Sequence, residues 1–161
     1  MKKNINNEIW VGCVDSSIAT LLEIAPEIIA PYSHALVTSI DSERDLQNLE
    51  ILKKSTHGIM QYEFLDNNLL LSREAFLTML TTYDLFNGFD EIWFFLTKPS
   101  VKLPSGLWIT GPLEIVNDIP AGLIEWMKES GCVLGLGDGI GLNYITRKDT
   151  IAEKIEEFLE N

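Results

Sequence analysis

The residues able to do chemistry are few, and their spacing decides what they can do. Glycines alternate through "GLGDGIG", at Gly135, Gly137, Gly139 and Gly141. A dinucleotide fingerprint needs G-x-G-x-x-G between a strand and a helix, so that the pyrophosphate meets the helix N-terminus. Counted from Gly135 the sixth position is Ile140, and counted from Gly137 it is Leu142. The segment that follows, "LNYITR", is β-rich and not helical, and the loop lacks the Lys of a P-loop. Asp138-Gly139 between two β-rich runs reads instead as a hairpin turn, because both residues tolerate positive φ. The surplus glycines leave room for a bulge or for another backbone to approach. A hairpin tip can still line a ligand, so Gly137, Asp138 and Gly139 are kept as loop candidates.

The two histidines, His34 and His57, occur in neither HxxxH nor HExxH. A zinc site wants three or four ligands at short spacing, so both are expected in structural or surface roles, and no metal or other cofactor is expected. Cys13 and Cys132 lie far apart with no CxxC, which argues against a zinc knuckle or a disulfide scaffold. Cys13 sits in the apolar run "WVGCV", the setting of a small buried hydrophobe. A Cys13–His34 or Cys13–His57 dyad would need the fold to bring the pair together, and no G-x-S-x-G is present. Asp15 and Asp41 each close a predicted strand and could line a crevice at strand ends. Each also stands where a helix needs an N-cap.

One further group mixes aromatics with acids. Tyr83, Asp84, Phe86, Phe89, Asp90 and Glu91 fall within nine positions, and Trp108 follows a Pro-rich loop. Exposed, such residues suit a protein interface, with Tyr and Trp as anchors and charge as the steering force. The competing reading is core packing with solvated ends.

The elements that must position these residues follow from periodicity and punctuation. Glu8–Val14 and His34–Ile40 read as strands, with a helix between them that Pro26 interrupts and Pro31 ends. Asp41 and Ser42 cap a helix carrying Leu46, Leu49 and Leu52. Gly58–Leu65 reads as a strand, Asp66-Asn67-Asn68 as a turn, and Ser72 as the cap of a helix with Phe76, Leu77, Leu80 and Tyr83 on one face. Asn87–Phe89 stops that helix. Ile92–Leu96 is continuously apolar, as a strand buried on both faces would be, and is the expected central strand. A strand broken at Gly111-Pro112 is expected next, followed by a helix from Pro120 with Leu123, Trp126 and Met127 inward. Two strands flank the glycine run. Thr150 and Glu153 form a capping box for a last helix with Ile151, Ile155, Phe158 and Leu159 as its stripe. The order points to α/β shading into α+β: a single domain, residues 1–161, with a mixed β-sheet, helices packed on it and a C-terminal helix.

Composition sets the chemical context. The 161 residues carry 12 basic and 24 acidic side chains, a net charge of −12 spread along the chain. Such a surface repels nucleic acid and anionic membrane and steers a basic protein toward it. No run approaches the roughly 18 apolar residues that span a bilayer, so the expected compartment is the cytoplasm. In size, acidity and lack of a catalytic motif the chain is similar to the small acidic bacterial proteins that act as toxin-immunity or antitoxin partners. That likeness implies a cytosolic inhibitor of a basic partner, and the aromatic–acidic residues Tyr83, Asp84, Phe86, Asp90, Glu91 and Trp108 are its candidate contact surface. The alternative is a small α/β enzyme or metabolite-binding protein with a site near Asp15, Asp41 and the Gly135–Gly141 loop. A third possibility is a structural subunit docked through the last helix.

Overall fold

The structure is a computed structural model, and it describes residues 2–5, 9–14, 18–39, 47–48, 50–54, 62–65, 68–82, 91–98, 121–129, 132–137, 141–147 and 149–159. In chain order the strands are β1 Lys2–Ile5, β2 Ile9–Val14, β3 His34–Ser39, β4 Tyr62–Leu65, β5 Asn68–Ser72, β6 Glu91–Thr97, β7 Cys132–Gly137 and β8 Gly141–Thr146. The helices are α1 Ile18–Ile29, α2 Arg73–Thr82, α3 Ala121–Glu129 and α4 Asp149–Leu159, and residues 50–54 are also helical. The strands form one eight-stranded sheet in the order β1-β2-β8-β7-β6-β3-β5-β4.

The α+β architecture with helices packed on a sheet and a C-terminal helix is the one expected. The sheet itself is a correction: every described pairing is antiparallel, not mixed. The reason lies in what comes between. Helix α1 joins β2 to β3, which run in the same direction, and α2 does the same for β5 and β6. Strands β8, β7 and β6 then insert between β2 and β3, while β3 inserts between β5 and β6. Each helical crossover therefore spans an intervening strand, and no parallel neighbours remain.

Central strand β6 is buried on both faces, as its continuous apolar run predicts. Ile92, Phe94 and Leu96 face α1, α2 and α4, while Trp93 and Phe95 face α3. The larger core joins α1 (Leu21, Ile24, Ala25, Ile28, Ile29), α2 (Ala75, Phe76, Met79) and α4 (Ile151, Ala152, Ile155) to the sheet. Its centre is an edge-to-face pair, Phe76 and Phe94, with ring centroids 5.1 Å apart. On the opposite face Leu123, Trp126 and Met127 of α3 pack on the sheet, and Trp126 meets Phe95 at 5.3 Å.

Several local readings hold. Ser72 Oγ accepts a hydrogen bond from the Ala75 amide at 3.2 Å, the expected N-cap of α2. Strands β7 and β8 pair from Cys132↔Thr146 to Gly137↔Gly141, so the glycine run is a hairpin. Others need correction. Helix α1 runs through Pro26 instead of stopping there. Pro26 is exposed and lacks only its amide donor, while the apolar stripe continues inward past it through Ile28 and Ile29. Helix α4 begins at Asp149, which puts Thr150 inside the first turn and not at the cap. Strands β1 and β5 were not expected. "KKNI" has no apolar alternation, and "NLLLS" is rich in Leu, which favours helices in isolation. Only Tyr62–Leu65 of the Gly58–Leu65 strand is described. The Asp41–Ser42 cap, the Asn87–Phe89 stop and the strand around Gly111-Pro112 lie outside the described residues.

Candidate functional site

Strand alternation sorts the sheet residues onto two faces. On the face that carries α3, register aligns Leu36, Phe95, Val133, Ile145 and Val11 in one transverse row, all buried. The next row toward the hairpin is Thr38, Trp93, Gly135, Asn143 and Cys13. The last is Glu91, Gly137 and Gly141. Over these three rows an apolar surface gives way to polar and side-chain-free positions.

Two details define that boundary. A Cβ on Gly135 would stand 2.5 Å from Trp93 Cε3 and Cζ3, so the indole lies across the bare backbone of β7. Asn143, one strand further, is 5% exposed, and its Oδ1 is buried with no hydrogen-bond partner among the described residues. An orphaned buried acceptor costs about 1–3 kcal/mol. Among the described residues Trp126 Nε1 is a second buried polar atom without a partner on this side of the sheet.

The end of the sheet at the hairpin gathers the segments that the alternative reading selected. The C-terminal ends of β2 (Val14), β7 (Gly137) and β3 (Ser39) meet the N-terminal ends of β8 (Gly141) and β6 (Glu91) there. Of the loop candidates, Gly137 is described, paired with Gly141 and Glu91; Asp15, Asp41, Asp138 and Gly139 lie outside the described residues. Strands β2 and β3, which lead to Asp15 and Asp41, are four strand spacings apart, roughly 19 Å. Of the interface candidates, Glu91 opens β6, and Tyr83, Asp84, Phe86, Asp90 and Trp108 lie outside the described residues.

The Cys13–His34 dyad does not form. The same four spacings separate β2 from β3, and His34 pairs with Thr97 at the opposite end of the sheet from Cys13. His34 Nδ1 lies 2.9 Å from Ser33 Oγ. His57 lies outside the described residues. Cys132 is buried on the other face and forms no disulfide. Beside it the Tyr32 hydroxyl is buried with no hydrogen-bond partner among the described residues, and burial, helped by Cys132, pushes its phenol well above the ordinary tyrosine range. Tyr144 is also fully buried. Its ring covers Gly12, where a Cβ would stand 2.2 Å from Cζ, and its hydroxyl donates to Glu156 Oε1 at 2.6 Å. Burial first, then the hydrogen bond to Glu156, raises that phenol too.

A second feature lies on the solvent side of the helical layer. Glu23 and Glu27 of α1, Glu74 of α2, and Glu153 and Glu157 of α4 are exposed. Helix α1 contacts both α2 and α4. The Lys154 ammonium joins Glu27 Oε2 at 2.8 Å and, by that hydrogen bond and its charge, lowers the Glu27 carboxyl below the usual glutamate range.

Sequence reasoning missed Asn143 and Trp93 as members of one row. Within each strand the signal was there, Gly135 with Gly137 and Gly141 with Asn143 at the two-residue spacing of one face, but nothing in the sequence aligned the two strands with each other or with Trp93. Among the described residues no group of three or more His, Cys, Asp or Glu side chains could hold a metal ion, and no helix is long and apolar enough to cross a membrane. Compared with known proteins, the chain matches no family model, no curated protein and no solved structure.

Proposed function

We propose that this chain is an acidic protein-binding module that docks a basic partner, in the manner of an immunity- or antitoxin-type inhibitor. The supporting observation is the outer side of the helical layer. Five exposed glutamates on three adjoining helices stand there, and the nearby Lys154 is engaged with Glu27. Glu23/Glu27 and Glu153/Glu157 are like-charge pairs at i,i+4, which weaken their own helices. A surface that keeps such pairs gains long-range attraction for a cationic partner in exchange. The aromatic–acidic segment Tyr83–Glu91 with Trp108 is the other contact surface of this reading.

The test is capture of partners from native-source lysate by tagged protein, washed at low and then high salt. One stoichiometric basic protein, released by salt and held more weakly by Glu23→Lys/Glu157→Lys or by Asp84→Lys/Glu91→Lys, is the expected result. A partner indifferent to salt and to both charge reversals rules the reading out. A second reading, a metabolite-binding protein or small enzyme, is favoured by the five strand ends that converge on the Gly137–Gly141 hairpin. Its test is a thermal-shift screen of metabolites with wild type and Asp15→Asn.

A further inference from the structure

The glycines of β7 and β8 do more than reverse the chain. Gly135, Gly137 and Gly141 occupy one face of two paired strands, and Gly137 and Gly141 are direct partners. Together they leave a patch of bare peptide backbone on the order of 7 Å by 5 Å, from the residue rise and strand spacing. Trp93 covers the Gly135 end with its ring. Asn143 stands beside the patch, two residues from Gly141 on the same face, with a buried acceptor that nothing among the described residues satisfies.

These features make complementary demands on a ligand. Paired backbone without side chains is a flat surface that accepts a ring face. The Asn143 Oδ1 atom calls for a donor. The apolar row of Leu36, Phe95, Val133, Ile145 and Val11 lies one row beyond Trp93 and Asn143, so a charge brought into this layer carries a heavy desolvation cost, and Glu91 holds the floor's own row on β6, which disfavours an anion. We propose that this glycine floor binds a planar, uncharged N–H heterocycle. Such a ring lies on the backbone at Gly137 and Gly141, has the Trp93 indole as a wall and donates its N–H to Asn143 Oδ1. The proposal rests on the ligand-binding reading of this end of the sheet and is independent of the acidic helical layer, which lies on the opposite face.

Adenine, uracil and indole are the probes, each titrated by ligand-detected NMR against wild type, Asn143→Leu and Gly137→Ala. Asn143→Leu removes an unsatisfied acceptor at similar volume, so its melting temperature is expected to hold or rise. Gly137→Ala adds one methyl to the floor and serves if the first variant does not fold. The expected result is that at least one probe binds wild type, with affinity reduced tenfold or more in each folded variant. Failure of all three probes to bind wild type at millimolar concentration overturns the proposal. So does binding that is unchanged in the folded variants. Binding that survives both substitutions but is lost in Asp15→Asn places the ligand elsewhere at this end of the sheet, removing the floor and keeping the broader reading.

Discussion

Two glycines are fixed by rings from neighbouring strands. Gly12 lies under Tyr144, and Gly135 under Trp93. Gly12→Ala forces a methyl into a fully buried ring and is expected to cost about 1–3 kcal/mol of stability by chemical denaturation. Shrinking the ring in Gly12→Ala/Tyr144→Leu should recover part of that loss; a fully additive double mutant would show that the two residues do not press on each other. Tyr144→Phe removes the hydrogen bond to Glu156 and should cost about 1–3 kcal/mol, as for a bond to a charged acceptor. Tyr32 and Tyr144 also predict how stability varies with pH. Both phenols are raised in the folded state, so they stay protonated there while the unfolded chain ionises above about pH 10. Their contribution is complete below that pH and is lost above it. Replacing both by Phe should flatten the alkaline limb of the stability curve. None of this was legible in sequence, because Gly12 and Tyr144 become neighbours only through β2–β8 pairing.

At the scale of elements, local signals were the readable part. The Ser72 cap, the antiparallel pairing of the strands that flank the glycine run and the doubly buried β6 all rest on chemistry within a few residues, and all three are observed. Ser72→Ala is expected to lower stability by about 1 kcal/mol. Pro26 was misread because its local cost was weighed without the tertiary gain. Leu21, Ile24, Ala25, Ile28 and Ile29 bury a stripe that crosses it. Pro26→Ala supplies the missing amide donor on the exposed side of α1, and a rise in melting temperature is expected; a fall would mean that the fixed φ of the proline ring stabilises the helix more than the lost hydrogen bond costs. Between α1 and α4, the Glu27–Lys154 pair gives an acid-side signature. With Glu27 lowered in the folded state, Lys154→Ala should differ from wild type near neutrality. The two should converge as pH falls through the Glu27 range, where the carboxyl gains its proton.

The charge of −12 and the α+β class were legible for the whole molecule, because both are sums over the chain. The strand order was not. Alternation of strands and helices suggests parallel neighbours only when nothing is inserted between them, and insertion depends on residues more than a hundred positions away. The candidate site was half-read for the same reason: the hairpin glycines were visible, but the row that adds Trp93 and Asn143 to them exists only across three strands.

That interleaved order also governs when the protein can form. Strand β2 has β1 and β8 as its partners, and β8 ends at Thr146. On a ribosome, the first strands of the sheet emerge long before the strand that closes them, and β3 likewise waits for β6. The mean separation of contacting residues is therefore large, which slows folding and lengthens the exposure of β2 and β3 as apolar strands with one edge still unpaired, since β1 and β5 can cover only the other. Newly made chains are expected to need protection until residue 146 has cleared the exit tunnel. Arrested nascent chains that stop before β8 should be degraded rapidly by added protease, and chains that expose α4 should resist it.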